Sequence, residues 1–250
     1  MALDIYSITF QSPFMRFFVG TIALFTGLLI WTILSNSFLK NGSRRYIGII
    51  GVILFFGMVE FFAGISLVEP FFGGIIQSTT KGVEELLVIG TQLRVRTLVV
   101  GALMSAIVLA FLTTEKDETI KEDERKKYLS MLLTVITVLA VGLYAFSYLI
   151  GSRFFNILPE KDVLSALQVG SFIVVFFLSV TVFNLRKNFV KEKDSFSSWF
   201  SIVFALFALS ALSFLFSKDI WDLFSWLSVL FRLMANITIV YALLTELLEK

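Results

Sequence analysis

The sequence predicts an all-α, polytopic bundle of seven transmembrane helices, with the N-terminus outside and the C-terminus in the cytoplasm. Three observations carry that prediction. Hydrophobic residues make up 57% of the chain and charged residues only 16%, whereas soluble domains average ~25% charged. Long apolar runs recur seven times along the 250 residues, each sufficient to cross a hydrocarbon core of ~30 Å as a helix. Lys and Arg are divided unequally between alternate connections, which orients the whole.

The spans fall at about 16–39, 46–68, 94–113, 128–150, 164–185, 197–216 and 223–245, in a single membrane domain over 1–250. The first follows a segment with Asp4 and no basic residue, so no cleavable signal peptide is expected. A short connection, 40–45, carries Lys40, Arg44 and Arg45 into the second span. The segment 69–93, EPFFGGIIQSTTKGVEELLVIGTQL, turns at Pro70 and Gly73-Gly74 and becomes helical in pattern from Lys81. Glu84 and Glu85 lie near that start, where the helix dipole favours acids. An amphipathic surface helix, an extension of the third span and a lid over an external cavity all fit this pattern. In 114–127, Glu122 precedes Lys126 by four and Asp123 precedes Lys127 by four. That acid-first order supports a solvated helical extension of the third and fourth spans, or a dock for a cytoplasmic partner.

The fourth and fifth spans are joined through a segment containing Pro159, and the connection 186–196 carries Arg186, Lys187, Lys191 and Lys193. Trp199 marks the inner boundary of the sixth span, and Trp221 and Trp226 the outer boundary before and within the seventh. Pro13, Pro70 and Pro159 all lie in predicted connections. Proline-broken helices of the kind that expose backbone at a transporter's midplane are therefore not expected. The 29 Phe residues read as lipid-facing and interhelical filler.

With Lys116, Lys121, Arg125, Lys126, Lys127 and Lys250 added to the basic connections above, thirteen basic residues lie on one side. The other side holds seven: Arg16, Lys81, Arg94, Arg96, Arg153, Lys161 and Lys218. The richer side is assigned to the cytoplasm, and the protein to the plasma membrane.

Composition also removes chemistry. The chain has no His and no Cys, which excludes Ser-His-Asp hydrolysis, the usual zinc sets, disulfides and iron–sulfur ligation. No Asp or Lys lies inside a predicted span, and no Walker A pattern or Gly-rich nucleotide loop is present. The seventh span offers no Lys for a retinal Schiff base. No enzymatic activity, cofactor or metal is expected. Acids nearly match bases in 114–127 and no basic stripe with interleaved aromatics exists, so no nucleic-acid partner is expected either.

Two ionisable residues stand well inside spans, Glu60 in the second and Arg232 in the seventh. Counting from the span ends places both roughly 12–14 Å below the outer boundary. A charge there costs ~2.5–3.5 kcal/mol unless paired or hydrated. Gly57, Glu60 and Gly64 share a helical face, and glycine admits a close neighbour. Ser225, Ser228, Arg232, Ala235 and Ala242 form a small-and-polar stripe with Asn236 beside it. A Glu60–Arg232 pair between the second and seventh spans is predicted.

Tyr144, Ser147 and Tyr148 near the outer end of the fourth span, Gln168 in the fifth, and Arg94 and Arg96 in the third lie at comparable depth. The first reading is structural, an ion pair that fixes helix register and arginines that snorkel to headgroups. The second is an outer pocket that these residues line together for a small anionic ligand, which Arg suits by its planar fork. An ion or proton path is a third reading.

Residues 198–248, SWFSIVFALFALSALSFLFSKDIWDLFSWLSVLFRLMANITIVYALLTELL, pair an uninterrupted helix with a short link and a helix bearing a mid-span Arg. This run, about a fifth of the chain, resembles the end of the seven-helix membrane-associated sensor modules of prokaryotic, especially archaeal, signalling proteins. The resemblance implies a receptor whose last helix leads to a cytoplasmic output domain. Here the sequence stops at Lys250, so the expectation is a separate partner, or a fragment of a longer protein. The function expected is therefore a non-enzymatic receptor, sensor or membrane subunit, embedded in the lipid bilayer and acting through a cytoplasmic or membrane protein. The alternative is a small transporter or channel using Glu60 and Arg232.

Overall fold

The computed structural model describes residues 13–72, 81–114, 118–151, 160–192, 195–218 and 220–248. Its helices are α1 (Pro13–Asn41), α2 (Arg44–Phe72), α3 (Lys81–Thr114), α4 (Glu122–Gly151), α5 (Glu160–Glu192), α6 (Ser195–Phe216) and α7 (Leu223–Leu248). All seven are long and apolar enough to cross a membrane, the architecture of a multi-pass membrane protein. Among the described residues there is no strand, only an isolated bridge between Ser43 and Thr119.

Each predicted span lies within one helix. Pro13 opens α1, a position where its missing N–H costs nothing. Pro70 falls in the last turn of α2, just beyond the span that ends at Glu69. Pro159 and the Gly73-Gly74 turn lie outside the described residues. The helical pattern from Lys81 is the start of α3 itself, so it extends the third span and is not a separate surface helix.

The closest pairing is between α1 and α2, which run antiparallel around the link at Gly42. A Cβ on Gly20 would stand 2.5 Å from the carbonyl oxygen of Glu60, one on Gly57 2.7 Å from that of Ala23, and one on Gly64 2.7 Å from Cα of Phe17. The two backbones touch along this line, which only glycine allows. Gly57 and Gly64 thus serve α1, not α7.

At the centre lies α3, packed on α2, α4, α5 and α6, with Leu98, Ala102, Leu103, Ala106 and Leu109 fully buried. Successive pairs α5–α6 and α6–α7 continue the bundle. Phe56 of α2 stacks on Phe207 of α6 at 4.9 Å between centroids, joining the two groups of helices. By contrast α4 rests on α3 and α2, α5 on α6 and α3, and most of the surface of both, including Val138, Phe172 and Phe183, points outward.

The connections at the Gly42 end are tied together. Gly42 adopts φ 73° and its N–H returns to the carbonyl of Phe38 at 2.7 Å, closing α1. Arg125 donates to the last carbonyls of α1, Leu39 at 2.9 Å and Lys40 at 2.7 Å, where the helix dipole favours a cation. Ile120 N–H reaches the carbonyl of Gly42 at 2.8 Å, and Arg44 N–H that of Glu118 at 2.9 Å. The expected helical extension is present on the α4 side, where the helix begins at Glu122. Glu118 and Ile120 pair with the α1–α2 link.

Candidate functional site

Two buried lines and one carboxylate meet where side chains of α1, α2 and α7 come together. On α1 the buried line is Arg16, Gly20, Ala23, Gly27, Ile30 and Leu34, spaced by three or four. On α7 it is Ser225, Ser228, Arg232, Ala235, Asn236 and Ala242, all buried as the sequence pattern implied. Glu60 of α2 faces them, with its side chain 12% exposed.

Arg232, 2% exposed, donates from Nε to Oε1 of Glu60. Its Nη1 donates to Ser228 at 2.7 Å and to Ser210 of α6 at 3.2 Å. Ser210 in turn donates to the carbonyl of Ser228 at 2.8 Å. Such a pair needs these additional hydrogen bonds to offset the desolvation of both ions. Glu60 and Arg232, the deepest charges in the sequence, are thus brought into contact, with hydroxyls from two helices around them.

One turn nearer the start of α7, Arg16 donates from Nη2 to Ser225 Oγ at 2.6 Å and to the carbonyl of Ile220 at 2.7 Å. Its guanidinium lies 4.4 Å from the ring centroid of Trp226. Asp222 prepares this arrangement as the N-cap of α7, accepting from Ser225 N–H at 2.7 Å and Lys218 N–H at 2.6 Å. The cap fixes the α6–α7 link, and the link presents its carbonyl to Arg16. Three buried atoms of this seam lack a hydrogen-bond partner: Nε of Arg16, Nη2 of Arg232 and Oδ1 of Asn236.

The remaining candidate residues do not join this seam. Arg94 donates to Oε2 of Glu69 at 2.8 Å and to the Tyr144 hydroxyl at 3.3 Å, and lies 4.4 Å from the ring of Tyr148. That cluster sits between α2, α3 and α4. Arg96, two residues on, points elsewhere and donates to the carbonyl of Ser217 at 3.1 Å beside Phe214. Residues i and i+2 cannot face the same neighbour on a helix, so the single pocket expected from Arg94, Arg96, Tyr144 and Tyr148 is divided. Ser147 spends its hydroxyl on the carbonyl of Tyr144 at 2.7 Å. Gln168 is exposed, because the buried face of α5 is Gly170, Ser171, Val174 and Leu178. It lines neither cluster.

No protein family, curated protein or solved structure matches this chain. The site is therefore read from its own chemistry.

Reading the sequence missed Arg16, Ser210 and Glu69. Arg16 lies at a span edge, where a basic residue reads as a flanking charge. Its signal was its place at the head of the Gly20, Ala23, Gly27 stripe. Ser210 is a lone hydroxyl in an apolar run and gave no signal. Chemically the seam offers hydrogen-bond donors and positive charge, and among the described residues no group of three or more metal-ligating side chains.

Proposed function

We propose that this protein is a non-enzymatic seven-helix receptor or membrane subunit of the plasma membrane. It senses through the half containing Glu60 and Arg232, placed outside, and acts through a protein partner at the cytoplasmic segments 114–127 and 186–196. The observation that carries this reading is the double attachment of α1. One end is held through Arg16 to the α6–α7 link and the start of α7, and the other through Arg125 to the first turn of α4. A helix is stiff along its axis, so a shift of Arg16 relative to α7 is felt at Leu39 and Lys40. The coupled element and the two attachment points are what a signal between the two membrane faces requires. The basic-residue asymmetry supports the orientation, and the similarity of residues 198–248 to sensor modules supports the class.

The test is mass spectrometry of what co-purifies with the untagged protein in mild detergent, with lysine cross-linking at the exposed Lys126, Lys127 and Lys187. A stoichiometric protein cross-linked at these positions is the expected result. A protein that purifies alone and carries solute flux when reconstituted in liposomes overturns the reading in favour of a transporter.

A further inference from the structure

We infer that the seam between α1 and α7 is an oxyanion site, in which Arg16 and Arg232 together hold a carboxylate or phosphate group. The sensing role of such a ligand rests on the receptor reading above, whereas the site itself rests on the charges and donors of the seam.

Ser225 and Ser228 are three residues apart on one face of α7, a rise of about 4.5 Å. Each accepts a hydrogen bond from one of the two arginines. Two guanidiniums therefore stand about one helical turn apart, both in a buried setting. Glu60 is committed to Arg232. Arg16 spends its hydrogen bonds on a carbonyl and a hydroxyl, both neutral, and rests on an aromatic face. Asp222, within electrostatic range of Arg16, uses its two carboxylate oxygens on backbone N–H groups. In formal charge Glu60 and Asp222 match the two arginines, but Asp222 caps α7 and so also offsets the positive end of that helix.

The donors still open are the right ones. Nε of Arg16 and Nη2 of Arg232 are buried N–H groups without partners. An oxyanion between the two guanidiniums accepts from both. Asn236, one turn beyond Arg232 and also buried, has an unengaged carbonyl oxygen. The Arg94 cluster also has an unpartnered Nε, but it holds a single guanidinium, paired directly with Glu69. The group bound is a free small anion or the phosphate of an anionic lipid, since both present the same oxygens.

The experiment uses the full chain, delipidated in neutral detergent, and follows thermal unfolding against inorganic phosphate and acetate, with chloride at equal ionic strength. A parallel arm compares vesicles containing phosphatidylglycerol with pure phosphatidylcholine. A saturable rise in Tm with phosphate or acetate, absent with chloride, identifies a free anion. A rise only with phosphatidylglycerol identifies a lipid headgroup. Either result is expected to weaken at least tenfold in apparent affinity in Arg16→Lys, which keeps the charge but loses the fork. It should persist in Arg44→Gln, which removes a distant exposed charge. Arg16→Met tests the same contact, and the lysine variant keeps the test open should the methionine variant fail to fold. No saturable effect from either source, or an effect unchanged in Arg16→Lys, overturns the site. Anion binding without a captured partner leaves the site and removes the receptor reading. A partner without anion binding does the reverse.

Discussion

The α1–α2 pair and the α4–α5 flank are built from equally apolar helices, yet one is packed backbone to backbone and the other leaves most of its surface outward. Between α1 and α2 the backbones meet over Gly20, Gly57 and Gly64, and the adjoining seam encloses Arg16, Arg232, Ser225 and Ser228. On α4 and α5 the residues left outward are Val138, Phe146, Phe172, Phe176 and Phe183. Lipid is as apolar as leucine, so hydrophobicity does not select which face packs inward. Small residues that let backbones approach, and polar groups that must find one another, make that selection instead.

The largest test of this comparison is the ion pair. Leaving one buried charge without its partner is expected to cost about 3–5 kcal/mol, while removing both recovers much of the loss. Arg232→Met, which abandons Glu60, is therefore predicted to be strongly destabilising in reversible unfolding from mixed micelles. Glu60→Gln is predicted to destabilise as well, because the amide still accepts from Arg232 but leaves the buried guanidinium uncompensated. The double variant is predicted to be more stable than Arg232→Met alone. Additive losses would show that the two residues do not act as a unit.

The glycines sharpen the contrast at lower energy. Gly57→Ala forces a methyl into the backbone of Ala23 and is predicted to cost about 1–3 kcal/mol, the range for overpacking a filled core. Gly142 of α4 has nothing within 4 Å of an added Cβ. Gly142→Ala is predicted to be neutral or to stabilise by up to about 1 kcal/mol through helix propensity alone. Equal effects at the two positions would mean that α4 packs as tightly as α2, and the comparison would fail.

These differences explain what the sequence could reveal. The seven helices were legible because the bilayer dictates both their length and their apolarity. Glu60 and Arg232 were legible as isolated charges at matching depth. Arg16 was not, since its role depends on which helix α1 faces, and a basic residue at a span edge has a ready explanation in the headgroup region. The division of Arg94 from Arg96 was available from helical phase alone, and grouping residues by depth overlooked it. Gln168 shows the same lesson: depth placed it near Tyr144, while phase turned it outward. The tie between Gly42 and Arg125 needed the fold, because it joins segments more than 80 residues apart.

That tie supplies the smallest contrast, between two arginines at one end of the molecule. Arg125 donates to carbonyls of Leu39, Lys40 and Ile120, which the ends of helices leave without partners of their own. Arg44 pairs with Glu118 at 3.2 Å, but both side chains are more than half exposed, at 55% and 72%. Arg125→Ala is predicted to cost about 1–3 kcal/mol, the range for lost hydrogen bonds to a charged donor. Arg44→Ala should cost less than about 1 kcal/mol and fade with salt, because water already screens the pair. Both arginines carry one charge and stand near the same connection, so net charge alone predicts equal losses. If unfolding experiments at low and high salt show the two variants to be alike, α1 is held at this end by the general field of the basic loops. If only Arg125→Ala loses stability, and keeps that loss in salt, the attachment is the specific set of carbonyl contacts through which α1 would pass a displacement from the seam.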